Sequence, residues 1–216
     1  MNTRIISPSL LSANFAALGD DINTIESSAA QWLHIDVMDG VFVTNISYGF
    51  PILEVASRLS SKLIDVHLMI IEPERYLQRF VEAGAQMLTF HLEASEQPMK
   101  CIDIIKESGA KVGISIKPKT SVETLREYLP HIDMILVMSV EPGYGGQGFI
   151  EGSLERVAMV KEMITQSGYD ILIEVDGGIS PKNSQALFQA GADVLVAGSS
   201  VFKSDNPAGV IDEMLK

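Results

Sequence analysis

Hydrophobic positions along this chain follow two alternating rhythms. Short runs rich in Ile, Val and Leu lie near 5–9, 32–36, 63–69, 87–91, 111–116, 134–138, 171–176 and 194–197. Their length and composition predict buried parallel strands. The stretches between them carry helical spacing. Phe15, Leu18, Ile22 and Ile25 recur at steps of three and four, and Leu154, Val157, Met159, Val160 and Met163 do so more loosely. Pro73 and Pro181 suit the first turns of two helices. Gly84, Gly109 and Gly191 each stand between a helical stretch and the next strand. Eight strands and eight helices in alternation imply parallel βαβ units. No linker or low-complexity stretch interrupts them, so 1–216 reads as a single catalytic domain. A closed (β/α)8 TIM barrel and an open doubly wound sheet share this element count. The barrel is preferred because polar residues collect at the carboxyl ends of many strands, where a barrel carries its site, and not at one switch point.

Composition narrows the class. With 46% hydrophobic and 20% charged residues over 216 positions, the chain has an ordinary globular balance and can bury a core without disulfides. Its formal net charge of −12 repels phosphate backbones, which argues against nucleic-acid binding. Any phosphate must then be held locally, by backbone N–H groups. No segment reaches the ~18 apolar residues of a membrane span, and 1–8 lacks the apolar run of a signal peptide. A cytoplasmic protein is expected. The lone cysteine, Cys101, sits among Ile102, Ile104 and Ile105 and reads as a packing residue.

Alternation within the strands exposes the candidate chemistry. His34, Asp36 and Met38 share one face of the second strand, while Leu33, Ile35 and Val37 share the other. If the apolar set faces the helices, an imidazole and a carboxylate point into the barrel mouth. His67 and Met69 share a face of the third strand, and Asp176 ends the seventh before Gly177-Gly178. One inward histidine is often only a core residue, and an Asp before Gly-Gly is often a turn former. Together, His34, Asp36, His67 and Asp176 make a ligand set for a divalent metal, because carboxylates in a barrel interior need a cation or a mutual network. His91 reads either as a pocket-lining residue or as a support behind the ligands. The loop Val140-Glu141-Pro142-Gly143-Tyr144-Gly145-Gly146-Gln147-Gly148 holds four glycines in six residues, and Gly177-Gly178 and Gly198-Ser199 follow the last two strands. Tight turns explain any one of these loops; together they suit a phosphate. Such parts fit proton transfer beside a carbonyl, through a metal-stabilised enediolate. Asp36 and Asp176, on separate strands, can flank the substrate as acid and base, and Met38, Met69 and Met138 wall the space against water.

These motifs resemble the ribulose-phosphate 3-epimerase family nearly end to end. The resemblance rests on Ser7-Pro8-Ser9-Leu10-Leu11, His34-Ile35-Asp36-Val37-Met38-Asp39-Gly40-Val41-Phe42-Val43, Asp65-Val66-His67-Leu68-Met69, the loop from Val137 to Gln147, and Glu174-Val175-Asp176-Gly177-Gly178-Ile179. It implies a barrel of the ribulose-phosphate-binding type. His34, Asp36, His67 and Asp176 would bind a divalent ion, zinc before iron, manganese or cobalt. Asp36 and Asp176 would be the acid/base pair. Ser9, His67, Asp176 and the three methionines would meet substrate, and Gly143, Tyr144, Gly145, Gly146, Gly177, Gly178, Gly198 and Ser199 would hold its phosphate end. The implied reaction interconverts D-ribulose 5-phosphate and D-xylulose 5-phosphate in the pentose phosphate pathway, in a homo-oligomer. A D-allulose 6-phosphate 3-epimerase and a non-catalytic sugar-phosphate-binding barrel are the alternatives. The glycine at 178 favours the pentulose. Thr44 replaces the family's usual proline, and 46–51 departs from its usual pattern at positions expected to approach the substrate.

Overall fold

The computed structural model describes residues 4–216; the reading of the N-terminus at Met1 to Thr3 lies outside the described residues. Eight strands appear in the expected places: β1 Ile5–Pro8, β2 Trp32–Met38, β3 Leu63–Met69, β4 Met87–His91, β5 Lys111–Ile116, β6 Met134–Met138, β7 Leu172–Asp176 and β8 Val194–Ala197. All neighbours pair in parallel, from β1 through β8 and back down to β2. The sheet curls until its two ends meet. A parallel bridge joins Ser9 to His34, and the Gln31 N–H donates to the Ile6 carbonyl at 3.3 Å. The result is a (β/α)8 barrel, not an open sheet.

The outer faces of the strands and the inner faces of the helices share one core. Leu33, Ile35 and Val37 of β2 pack there with Ile22 and Ile25 of α1 (Leu18–Glu26) and Leu53 and Ala56 of α2 (Phe50–Leu59). Inside the barrel the layers differ. The amino-terminal end is plugged by Ile5, Trp32, Met87, Met134 and Val194. Above this plug the interior turns polar, with Ser7, His34, Asp65, Thr89 and Glu174 all without exposed surface. An apolar floor beneath a polar ring directs the chemistry to the carboxyl ends of the strands.

The outer layer departs from the expected eight α-helices. α3 (Leu77–Glu82) starts after a separate 3₁₀ turn at Pro73–Arg75, and α4 (Pro98–Glu107) is regular. The segment after β5, Val122–His131, is 3₁₀ throughout. Pro130 lies inside it, and proline can neither donate to a helical ladder nor fit beside the carbonyl four residues back. α5 (Ser153–Ser167) and α6 (Ser184–Ala190) follow β6 and β7; after β8 the helical segment divides into α7 (Ser199–Phe202) and α8 (Pro207–Leu215). Two residues assigned to helical stripes lie off them. Phe15 stands in its own 3₁₀ turn, 48% exposed, and Met159 faces outward at 54%.

Candidate active site

The site is built from inward side chains of the adjacent strands β2 and β3, joined by those of β7 from elsewhere on the ring. Parallel register places Asp36 of β2 beside His67 of β3, and His34 beside Asp65. His34 sends Nδ1 to Asp65 Oδ2 at 2.6 Å, with Glu174 Oε1 at 3.8 Å from the same nitrogen. Its Nε2 makes no hydrogen bond, though Asp36 Oδ1 lies 3.3 Å away. His67 Nδ1 lies 3.2 Å from Asp36 Oδ1 and 3.7 Å from Asp176 Oδ2. The Ser9 hydroxyl donates to Asp36 Oδ2 at 2.6 Å. One ligand atom from each of His34, Asp36, His67 and Asp176 lies within 4.8 Å of all the others.

This arrangement fits a divalent cation. A buried imidazole nitrogen without a partner is costly unless something accepts its lone pair. His34 Nε2 is such an atom, and the bond from Nδ1 to Asp65 orients it toward Asp36. Two imidazoles and two carboxylates form a mixed N/O donor set suited to zinc or another first-row metal.

The charges around the cluster are unequal. Burial would raise the Asp36 carboxyl, but His34 and His67 outweigh it and hold the group well below the usual range, ionised. Asp176 is pushed up to about 6, first by burial and then by the charge of Asp36. Burial pulls His34 down, yet Asp36 and Asp65 together raise it well above an ordinary histidine, so a cation must displace a proton to bind there. Glu174, fully buried, is raised well above an ordinary carboxyl by burial and then by Asp65. Two neighbouring carboxyls of different affinity for a proton are what an acid/base pair requires.

Above the cluster opens a cleft of about 350 Å³. Asp36 and Asp176 reach its floor; Met38, Met69 and Met138 line it beside Ser9. Gly143, Tyr144, Gly145 and Gly146 line it from the loop after β6, and Gly177, Gly178, Gly198 and Ser199 from the loops after β7 and β8. Of the residues expected to meet substrate, only His67 does not line the cleft. Like His34 it is completely buried, beneath the two carboxylates. The departures at 44–51 do not line the cleft either, and Thr44, Asn45 and Ile46 face solvent. Ser47 instead ties down the base of its loop, donating to the Asp36 carbonyl at 2.7 Å.

Glycine is required where the loops after β6 and β7 meet. Gly177 and Gly178 have φ of +122° and +65°. A Cβ on Gly178 would stand 2.7 Å from the Phe149 nitrogen. This close approach lets the loop after β6 fold against the loop after β7. Ser139 joins them further, donating to the Gly177 carbonyl at 2.7 Å.

Sequence reasoning passed over Ser12 and Lys203 in the cleft, and Asp65 and Glu174 beneath it. Among the described lining residues Lys203 is the only cation. Asp65 carried a usable signal, because it stands two residues before His67 and shares its face.

A model of the ribulose-phosphate 3 epimerase family matches residues 5–202. A ribulose-phosphate 3-epimerase of Synechocystis is 43% identical over 209 residues, covering 96% of this chain and 91% of that protein. One of Bacillus subtilis is 43% identical over 210 residues, 97% of each chain. A crystal structure of KGPDC from Streptococcus mutans matches at 16% identity with a TM-score of 0.73, covering 98% of this chain and 97% of that one, a likeness of fold alone. This chain belongs to the ribulose-phosphate 3-epimerase family.

Proposed function

We propose that the protein interconverts D-ribulose 5-phosphate and D-xylulose 5-phosphate, with Asp36 and Asp176 as its two proton-transfer groups. The carrying observation is that these two carboxyls alone of the four-residue cluster reach the cleft floor, one held ionised and the other raised to about 6. Inversion at C3 needs a proton removed from one face and another delivered to the opposite face. Asp36 takes the proton in one direction while Asp176 gives one; the roles reverse for the opposite epimer, as a reversible reaction demands. Ser9 keeps Asp36 in place through its 2.6 Å hydrogen bond. Met38, Met69 and Met138, each at most 4% exposed, keep water from quenching the carbanionic substrate and strengthen the electrostatics around it.

His34, Asp36, His67 and Asp176 would hold the divalent ion, with zinc favoured by the mixed N/O set. When bound, it supplies Lewis acidity toward the carbonyl and neighbouring hydroxyl oxygens. The phosphate end belongs at Gly177, Gly178, Gly198 and Ser199, where the first turn of α7 leaves N–H groups free of intrahelical bonds. Lys203 adds a positive charge there, and Gly143, Tyr144, Gly145 and Gly146 cover the cleft.

Residues 1–216 form one catalytic domain in this reading, supported by a single sheet and its helices running from Ile5 to Leu215. A cytoplasmic setting is supported by the free, buried Cys101. Among the described residues no helix is long and apolar enough to cross a membrane. A homo-oligomer is supported by Val41, Ile46 and Ile71, which are 68%, 74% and 40% exposed and are gathered by Asp39, whose carboxylate accepts from the Val41 and Ile71 N–H groups.

The test is to incubate zinc-loaded protein with D-ribulose 5-phosphate in heavy water and follow the sugar by NMR. D-xylulose 5-phosphate with deuterium at C3 is expected. Turnover of a hexulose 6-phosphate in preference to the pentulose, or no C3 exchange with either, would overturn the proposal.

A further inference from the structure

Beside the cation-binding set lies a buried imidazole to which the reaction gives no task. His91 ends β4 without exposed surface, and its Nε2 lies 2.9 Å from Nε2 of His67. Two imidazole nitrogens at that distance share one proton, so one donates and the other accepts. The other nitrogen of His67, Nδ1, is turned toward Asp36 and Asp176 at 3.2 and 3.7 Å. A nitrogen that ligates a cation must offer a lone pair there. The proton of His67 then sits on Nε2 and points at His91.

That assignment propagates outward. His91 accepts through Nε2, so its own proton is on Nδ1. Nδ1 faces Glu93 Oε2 at 3.5 Å. Glu93 is clamped by the turn after β5: its Oε1 accepts from the Lys117 N–H at 2.8 Å and from the Thr120 hydroxyl. The Phe42 ring packs on His91 with centroids 4.8 Å apart, and Lys117 Nζ stands 3.9 Å over that same Phe42 ring. This packing leaves water no access to either nitrogen of His91.

We propose that His91 and Glu93 are positioning residues that fix the tautomer of His67, presenting Nδ1 to the cation. The turn after β5, which contributes no ligand, thereby sets part of the metal affinity. The inference rests on reading His67 as a ligand.

Its test measures Co(II) affinity by competition with a chelating dye, for the parent, His91→Leu and His91→Gln. Leucine keeps the bulk and removes the acceptor, and should weaken binding about ten- to hundredfold, the usual effect of losing an outer partner of a ligand. Glutamine can accept from His67 and donate to Glu93, and should stay within about threefold of the parent. A folded His91→Leu protein with parental affinity, or equal losses in both variants, would overturn the proposal. Nitrogen-15 NMR of the zinc-loaded parent decides the matter even if His91→Leu does not fold. His67 protonated on Nε2 and His91 on Nδ1 is expected, and the reverse pattern on either ring overturns it. A parent that binds no cation would instead overturn the ligand reading itself and take this inference with it.

Discussion

Replacing Gly178 with alanine perturbs the cleft through one methyl group. The residue has φ of +65°, where an L side chain costs about 1–2 kcal/mol. The new Cβ would meet the Phe149 nitrogen at 2.7 Å, its Cα at 3.0 Å and the Gln147 carbonyl oxygen at 3.1 Å. All three are backbone atoms, so no side-chain rotation relieves the contact. The segment at 147–149 must withdraw by roughly 0.7 Å to restore ordinary van der Waals separation. For a chain of this size the strain should lower Tm by about 2–8 °C. The same shift disturbs the loops assigned to the phosphate. Loss of one hydrogen bond to a charged group, worth about 1.5–3 kcal/mol, corresponds to a fall of roughly 10- to 100-fold in kcat/KM. Because the phosphate is held alike before and during proton transfer at C3, the fall should appear mainly in KM. Calorimetry and a coupled assay on D-ribulose 5-phosphate read both effects. A lowered Tm with unchanged KM would refute the reasoning and leave Gly178 as a turn residue only.

Asp65→Ala should weaken zinc binding about 10- to 100-fold in a chelator-competition titration, because the His34 imidazole loses the 2.6 Å acceptor that aims Nε2; unchanged affinity would contradict this. Chelation of divalent ions should destabilise the protein. At a free metal concentration a hundred times Kd the ion contributes about 2.7 kcal/mol, so dialysis against a chelator should lower Tm by roughly 5–11 °C, whereas an unchanged Tm would speak against a site in the folded barrel. The Cys101 thiol is fully buried and pushed up to about 11, first by burial, so less of it is thiolate at pH 8 than in the unfolded chain. Iodoacetamide should label the native protein at least about a hundredfold more slowly than the unfolded one, and equal rates would show that the helix carrying Cys101 opens freely.

Much of this architecture is written locally. The period of two in β2 places His34, Asp36 and Met38 on one face because a strand cannot do otherwise, and the apolar alternates leave only one face for the helices. Asp176 was legible from its position at a strand end before Gly177-Gly178. The segment after β5 was harder, since 122–131 has helix-like apolar spacing and only Pro130 signals that the ladder tightens to 3₁₀. Phe15 and Met159 fit helical stripes by spacing, but a stripe is wider than the buried strip, and packing against neighbours decides its edges. The contact between His67 and His91 depends on the register of β3 against β4, which a single sequence does not encode in any one segment. Lys203 reaches the cleft because it stands one helical turn after Ser199, on the same face of α7. Thr44 marks the opposite limit: it follows the second-strand signature closely yet faces solvent, while its neighbour Val43 is the one buried against Met38 and Met69.

The central claim is that two carboxyls serve opposite faces of C3. The most direct test gives metal-loaded Asp176→Asn each epimer separately in heavy water. Interconversion should fall by about 10²–10⁴-fold. Asp36 alone should still exchange the C3 proton of one epimer and leave that of the other untouched. Exchange from both epimers at comparable rates, or interconversion near the parental rate, would contradict the account.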